Sequence, residues 1–188
     1  MKTKTVVVIV GLPTTGKSSL ARALSRETRL HFVDIDEGPA SCAPPQEPNP
    51  LRSDDARARE RARMTVAYTV IHAAVEANLA QGFSLIISAT YSRHTNQDFL
   101  QKAVERGNGT LKVIWCQYHD NLEEIERRVA DRLTSNSVGG CRSASHYIDD
   151  KSRYEGIKLP HIVVMMEGGE KGLAEAVRRS ISYINDNG

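Results

Sequence analysis

The sequence is short of several things, and each shortage excludes something. Aromatic residues make up 5% of the 188 positions, with one tryptophan, three phenylalanines and six tyrosines, which leaves no evident platform for stacking bases. No sign of charge dominates. The 25 lysines and arginines face 23 aspartates and glutamates, a formal net charge of +2, too small for a nucleic-acid coat or an electrostatic membrane binder. Cysteine is limited to Cys42, Cys116 and Cys141. An odd number without C-x-x-C spacing argues against a disulfide framework or a zinc knuckle, and a reducing, cytoplasmic setting fits best. Long apolar runs are missing as well: "VVVIV" at residues 6–10 is far too short for a signal-peptide core or a membrane span. Neither nucleic acid nor membrane is therefore an expected partner, and partner choice has to be read from local sites.

What is present is ordinary globular composition, 40% apolar and 26% charged, in a chain long enough to bury a core unaided. A single domain over 1–188 is expected, as a monomer or weak dimer. Stretches rich in β-branched residues at 5–10, 31–35, 83–88, 111–118 and 161–166 alternate with helical patterns at 17–28, 53–81, 95–106, 121–133 and near 171–184. Five strands separated by helices imply a parallel sheet with right-handed crossovers, covered on both faces, hence an α/β three-layer sandwich. Ser53 is placed to cap the long helix, with Asp54 and Asp55 in its first turn. Met64, Ala67, Tyr68, Ile71, Ala74, Val75 and Leu79 recur at helical spacing and mark its core face. Asp120 and Glu123 are spaced as a capping box. Two segments resist regular structure: 37–50, with five of the seven prolines, and the polar, glycine-bearing stretch 134–145, which reads as a flap.

Between the first strand and the first helix, Gly11, Gly16, Lys17 and Ser18 match G-x-x-x-x-G-K-[ST] in full, in the strand-to-helix context that a phosphate-binding loop needs. Glycines let the backbone turn tightly, so that successive N–H groups and the helix N-terminus face an anion. A glycine turn opening an ordinary helix would share only part of this pattern. The expected ATP site comprises Gly11, Pro13, Thr14, Thr15, Gly16, Lys17, Ser18 and Ser19. Lys17 would bridge the β- and γ-phosphates and the Ser18 hydroxyl would ligate Mg²⁺. No N-K-x-D motif of GTPases follows, nor an ABC-type signature or helicase motif.

The second strand, "LHFVDIDE", delivers Asp34 at its carboxyl end and Asp36 just beyond, at the sheet edge where ligands of open parallel sheets bind. Either carboxylate could orient metal-bound water or take the proton of an attacking hydroxyl, or merely cap a turn. The strand, the P-loop, a first helix of about a dozen residues and "FVDID" resemble the small P-loop kinases: shikimate kinase, gluconate kinase, chloramphenicol phosphotransferase, zeta toxins and the AAA-domain kinases. The order of elements extends the resemblance over most of the chain, although only the P-loop is highly specific. The resemblance implies a P-loop NTPase fold with a small lid at about 134–147. Asp34 would be the metal-proximal carboxylate or base, and Asp36 the acceptor contact.

"NLEEIERRVADR" places Arg128 and Arg132 four apart on one helical face. In the kinases it resembles, such a pair enters the lid and reaches nucleotide phosphates, where guanidinium charge stabilises the transferring group; solvated pairing with Glu124 and Asp131 is the alternative. Arg142 is a further lid candidate. "RSASHYIDDKSRYE" resembles the start of the helix that follows the lid. Where many of these kinases end the third strand in Asp-Ala-Thr, this chain has Ser88, which shifts metal handling onto Ser18 and Asp34. Ser88, Thr90, Arg93 and His94 become acceptor-pocket candidates, although Thr90 and His94 could equally cap the next helix. The arginines of "RSDDARARERAR", Arg52, Arg57, Arg59, Arg61 and Arg63, flank the acceptor end and allow an anionic or phosphorylated acceptor, yet their interleaved acids fit a solvated helix face better. The resulting expectation is an ATP- and Mg²⁺-dependent kinase acting on a hydroxyl of a small-molecule acceptor, with catalytic roles for Lys17, Asp34, Arg128 and Arg132. A polynucleotide 5′-hydroxyl kinase, or a nucleotide-dependent switch or ATPase without such an acceptor, are the alternatives.

Overall fold

Val6, Val7, Val8 and Ile9 are all fully buried, because a strand covered on both faces must be apolar at consecutive rather than alternate positions. They belong to the central strand of a five-stranded sheet. Strands β1 (Thr5–Val10), β2 (His31–Asp34), β3 (Leu85–Ser88), β4 (Thr110–Gln117) and β5 (His161–Met165) lie in the order β2-β3-β1-β4-β5, and every pairing is parallel. The computed structural model describes residues 4–43, 53–118, 121–134 and 143–186. Among them are the helices α1 (Lys17–Thr28), α2 (Gly38–Ser41), α3 (Asp54–Ala80), α4 (His94–Arg106), α5 (Leu122–Thr134), α6 (Ala144–Ser152) and α7 (Gly169–Asn185). None is long and apolar enough to cross a membrane.

The two layers of helices follow from two apolar stripes on the sheet. On one face Leu20, Ala21 and Leu24 of α1 and Ala176 of α7 pack with Val7, Ile9, Ile86 and Ile114. On the other, Ile71, Val75 and Leu79 of α3 and Leu100 and Val104 of α4 cover Val6, Val8, Leu85 and Ile87. Thus α1 leaves β1 toward one face while α4 leaves the neighbouring β3 toward the other. Their departures in opposite directions open a crevice at the carboxyl edge of the sheet, the place where open α/β sheets bind ligands.

Most expected elements are present within a few residues of their expected ends. Ser53 caps α3 as expected, its Oγ accepting from the Ala56 N–H at 3.2 Å. Strand β3 starts at Leu85 rather than 83, because the Phe83 N–H is used to close the end of α3 on the Asn78 carbonyl at 2.9 Å. Asp120 lies outside the described residues, and Asn121 caps α5 instead, its Oδ1 accepting from the Glu123 N–H at 3.0 Å. In the proline-rich stretch a four-residue helix, α2, replaces the expected loop at Gly38–Ser41, and 44–50 lie outside the described residues. So do 135–142 of the expected lid, Arg142 and Cys141 included, whereas 144–147 form the first turn of α6. Cys42 and Cys116 are free thiols.

A buried polar cluster fixes the connection from β3 to α4. Tyr91 is fully buried in the left-handed region at φ 47, its N–H donating to the Tyr68 hydroxyl at 2.9 Å and its own hydroxyl lying 3.2 Å from His72 Nε2. Burial lowers the His72 pKa from 6.5 to about 4, with Glu76 opposing that shift and Arg106 adding to it. Folded His72 stays neutral while the unfolded chain takes up its proton below 6.5. The stability contribution is therefore complete above pH 6.5 and declines as pH falls to about 4, by about 3 kcal/mol in all. Urea unfolding across this window should show that slope in the native protein and lose it in His72→Gln.

Candidate active site

The loop between β1 and α1 owes its shape to three left-handed residues. Gly11 has φ +145, Thr14 +66 and Gly16 +89, and Gly16 is the N-cap of α1. A Cβ on Gly11 would stand 2.4 Å from the Cys116 carbonyl oxygen of β4, so the loop can turn there only without a side chain. Gly11→Ala is expected to destabilise the fold by about 3 kcal/mol, from the backbone clash and the disfavoured φ together, measurable as a lowered urea midpoint. Three donors take up carbonyls of the loop. Lys17 Nζ and Thr15 Oγ1 donate to the Leu12 carbonyl at 2.7 and 2.9 Å, and Arg128 Nη1 donates to the Thr14 carbonyl at 3.0 Å. The N-terminus of α1 beyond them is the part of the motif suited to an anion.

The register β2–β3 sets Asp34 directly beside Ser88 at the carboxyl edge. Asp34 is 6% exposed and uses both oxygens: Oδ2 accepts from the Ser18 hydroxyl at 2.6 Å and Oδ1 from the Asp36 N–H at 3.0 Å. The first bond joins the P-loop to the acidic strand end. It also bears on the divalent cation that the motif implies. A hydroxyl and a carboxylate oxygen this close are hard donors suited to Mg²⁺, which keeps several waters and takes only one or two protein carboxylates. Among the described residues no group of three or more His, Cys, Asp or Glu side chains converges as an all-protein metal cage, so the donor set fits a cation shared with phosphate oxygens.

From this point a cleft of about 850 Å³ runs along the sheet edge. Pro13, Thr14, Gly16, Lys17, Ser18 and Ser19 are among its lining residues, as are Asp34, Asp36, Ser88, Thr90, Arg93 and Arg128. Of the other expected site residues, Gly11 and Thr15 are buried within the loop itself. The side chain of Arg132 lies outside the described residues.

Arg128 pairs with Glu124 and also touches the phosphate loop. Its Nε donates to Glu124 Oε1 at 2.9 Å, its guanidinium lies 3.6 Å over the Tyr118 ring, and its other end reaches the P-loop. Glu124 is the shared anchor: hydrogen bonds from Arg127 first, then Arg128, hold its pKa at about 2. Arg93 faces the cleft but is tied to Glu155 Oε1 at 2.8 Å. Glu155 also settles how α4 begins. Its Oε2 accepts from the His94 N–H at 2.7 Å, so a carboxylate from 61 residues away does the capping expected of Thr90 or the His94 side chain.

Several cleft residues have no counterpart among the sequence expectations. Helix α6 and the residue after it bring His146, Asp149, Asp150 and Arg153 to the opposite wall. Arg153 Nη2 donates to Asp149 and, at 3.0 Å, to Asp150, while Arg57 Nη2 approaches Asp149 at 4.0 Å across the cleft mouth. Burial raises the Asp150 pKa, opposed by His146 and Arg153. Arg63, by contrast, belongs to the arginine run that the sequence places at the acceptor end, and it does line the cleft. It is 4% exposed, although the interleaved charges around it suggest a solvated face. Helical spacing carried the signal, since Arg63 stands four residues before Ala67 and eight before Ile71 on the buried stripe of α3.

A parallel sheet with a P-loop after its central strand and a buried carboxylate at the end of the next strand defines a P-loop α/β protein with the kinase fold. The chain belongs to the AAA domain family, whose profile matches residues 6–146. Crystal structures of the same fold include a protein assigned as a kinase from Chloroflexus aurantiacus J-10-fl. It is 19% identical with a TM-score of 0.72, covering 97% of this chain and 99% of that one. A gluconokinase from Sinorhizobium meliloti 1021 is 18% identical with a TM-score of 0.62, over 98% and 93% of the two chains. The Mycobacterium tuberculosis APS kinase CysC, in complex with AMPPNP and APS, is 17% identical with a TM-score of 0.60, over 98% and 99%. No curated protein matches the chain.

Proposed function

We propose that the protein is an ATP- and Mg²⁺-dependent kinase that transfers the γ-phosphoryl group to a hydroxyl of a small molecule. The observation that carries this reading is the 2.6 Å bond from Ser18 to Asp34: it sets a buried carboxylate against the phosphate loop, in a cleft that extends past both toward Ser88 and Thr90. A nucleotide site alone would not need that extension. In this reading 1–188 form one kinase domain whose lid includes 134–147, working in the cytoplasm where MgATP is abundant.

Lys17 and the amides at the start of α1 hold the β- and γ-phosphates. Asp34 accepts the proton of the acceptor hydroxyl as its oxygen bonds to the γ-phosphorus, and the bond from that phosphorus to the β–γ bridging oxygen breaks to release ADP. Mg²⁺, held by the Ser18 hydroxyl and the Asp34 carboxylate, would neutralise charge on the phosphates. Arg128, fixed by Glu124 and Tyr118 against the loop, adds positive charge where the transferring group passes. Asp36, Ser88, Thr90 and Arg93 line the acceptor half. ADP release from MgATP, measured with pooled sugars, sugar acids, nucleosides, aminoglycosides and 5′-hydroxyl oligonucleotides, tests the reading. Stimulation by one small-molecule pool supports it, and slow turnover indifferent to every pool contradicts it.

A further inference from the structure

A buried guanidinium with unpaired N–H groups is costly, and α3 holds one at the cleft. Arg63 is 4% exposed, and among the described residues its buried Nε and Nη1 have no hydrogen-bond partner. Glu60 Oε1 stands 3.3 Å from Nε, near enough to balance charge but not aligned to accept the N–H. An N–H left buried and unpaired is destabilising, more so on a charged group. An apolar side chain of the same size would avoid that cost entirely, and the next positions along the stripe, Ala67, Ile71, Val75 and Leu79, are all apolar and buried. Arg63 is the exception on this stripe, at the turn of the helix where the stripe passes from the core into the cleft.

The surroundings indicate what would complete it. Arg63 lines the same cleft as Tyr68, and as Ser88 and Thr90, to which the reading above gives the acceptor. Helix α3 gives that wall Arg57, Arg61 and Arg63 against Glu60 as its one carboxylate. A guanidinium offers a planar fork of donors that matches the oxygens of carboxylate, phosphate or sulfate groups, and it binds them more strongly than neutral acceptors.

We propose that Arg63 selects the acceptor by its charge: the hydroxyl compound phosphorylated here carries an oxyanion group that pairs with the Arg63 guanidinium. The inference rests on the kinase reading for the identity of the pocket, but binding tests it apart from turnover. Titration calorimetry on the full chain saturated with Mg²⁺ and AMPPNP, so that the P-loop is occupied, compares gluconate, glycerate and glucose 6-phosphate with neutral glucose and glycerol. At least one anion is expected to bind at least tenfold more tightly than its neutral counterpart. Arg63→Met should weaken that binding about 10–100-fold, with Arg63→Lys intermediate and AMPPNP affinity within twofold of the native protein for both. Thermal melting checks that each variant folds, and the lysine variant keeps the test valid where methionine does not. Binding of the carboxylates alone, or of the phosphate alone, names the oxyanion. Absence of anion binding, equal binding of neutral probes, unchanged anion affinity in both variants, or a matching loss of AMPPNP affinity overturns the proposal. Anion binding through Arg63 without any phosphoryl transfer sinks the kinase reading and, with it, the acceptor role, leaving Arg63 as the oxyanion contact of a bound ligand; transfer to a neutral acceptor, unaffected by Arg63→Met, keeps the kinase reading and overturns this proposal alone.

Discussion

Asparagine at position 34 is expected to leave MgATP bound and to lower the rate of phosphoryl transfer about 10²–10⁴-fold, the range that a positioned proton acceptor contributes. The substitution is unusually clean here. Asp34 accepts from the Asp36 N–H through one oxygen and from the Ser18 hydroxyl through the other. An asparagine can keep its carbonyl on the Asp36 N–H and turn its amide toward Ser18 Oγ, which accepts in place of donating. Both local bonds survive while the negative charge, the proton-accepting oxygen and one carboxylate donor to Mg²⁺ are lost, so the nucleotide titration is run across Mg²⁺ concentrations. Single-turnover transfer, read alongside nucleotide titration, separates the two effects. Transfer at the native rate would remove Asp34 from the chemistry and turn attention to Asp36 or Asp150.

Lys17→Ala acts on the donor side and should weaken ATP binding about 10–100-fold, the loss of one charge-assisted contact to phosphate, with a further drop of about 10²–10³ in kcat if the lysine also follows charge developing on the γ-phosphoryl group. The bond from Lys17 Nζ to the Leu12 carbonyl is part-buried at 2.7 Å, and alanine leaves that carbonyl with Thr15 Oγ1 at 2.9 Å. The loop therefore keeps a donor for it, and the variant is expected to fold. Fluorescent nucleotide titration gives the affinity. Native-like ATP affinity in Lys17→Ala would mean that the motif holds something other than a polyphosphate.

These two residues were legible in the sequence because their signals are local. Lys17 belongs to a motif defined over eight consecutive positions, and Asp34 ends a short strand whose face alternation is plain. The sheet was legible for a related reason: strands buried on both faces must be continuously apolar, and "VVVIV" or "LIIS" allow little else. The opposite wall of the cleft was not. Helix α6 buries only Tyr147, so "ASHYIDDKS" carries almost no apolar period, and its delivery of Asp149 and Asp150 depends on packing against α5 and Leu12. The capping of α4 by Glu155 is likewise a tertiary contact between segments 61 residues apart, which no local pattern announces. Arg63 is an intermediate case, visible by its spacing from Ala67 and Ile71 yet masked by the alternating charges of its neighbours.

The most direct test of the kinase reading is the chemical form of the phosphate that leaves ATP. Phosphorus NMR of a reaction containing the protein, MgATP and the stimulating acceptor pool distinguishes a phosphate ester from inorganic phosphate in one spectrum. The kinase reading predicts an ester signal growing in step with ADP and slowed at least about a hundredfold with Asp34→Asn; inorganic phosphate as the sole product, at a rate indifferent to acceptor, would contradict it.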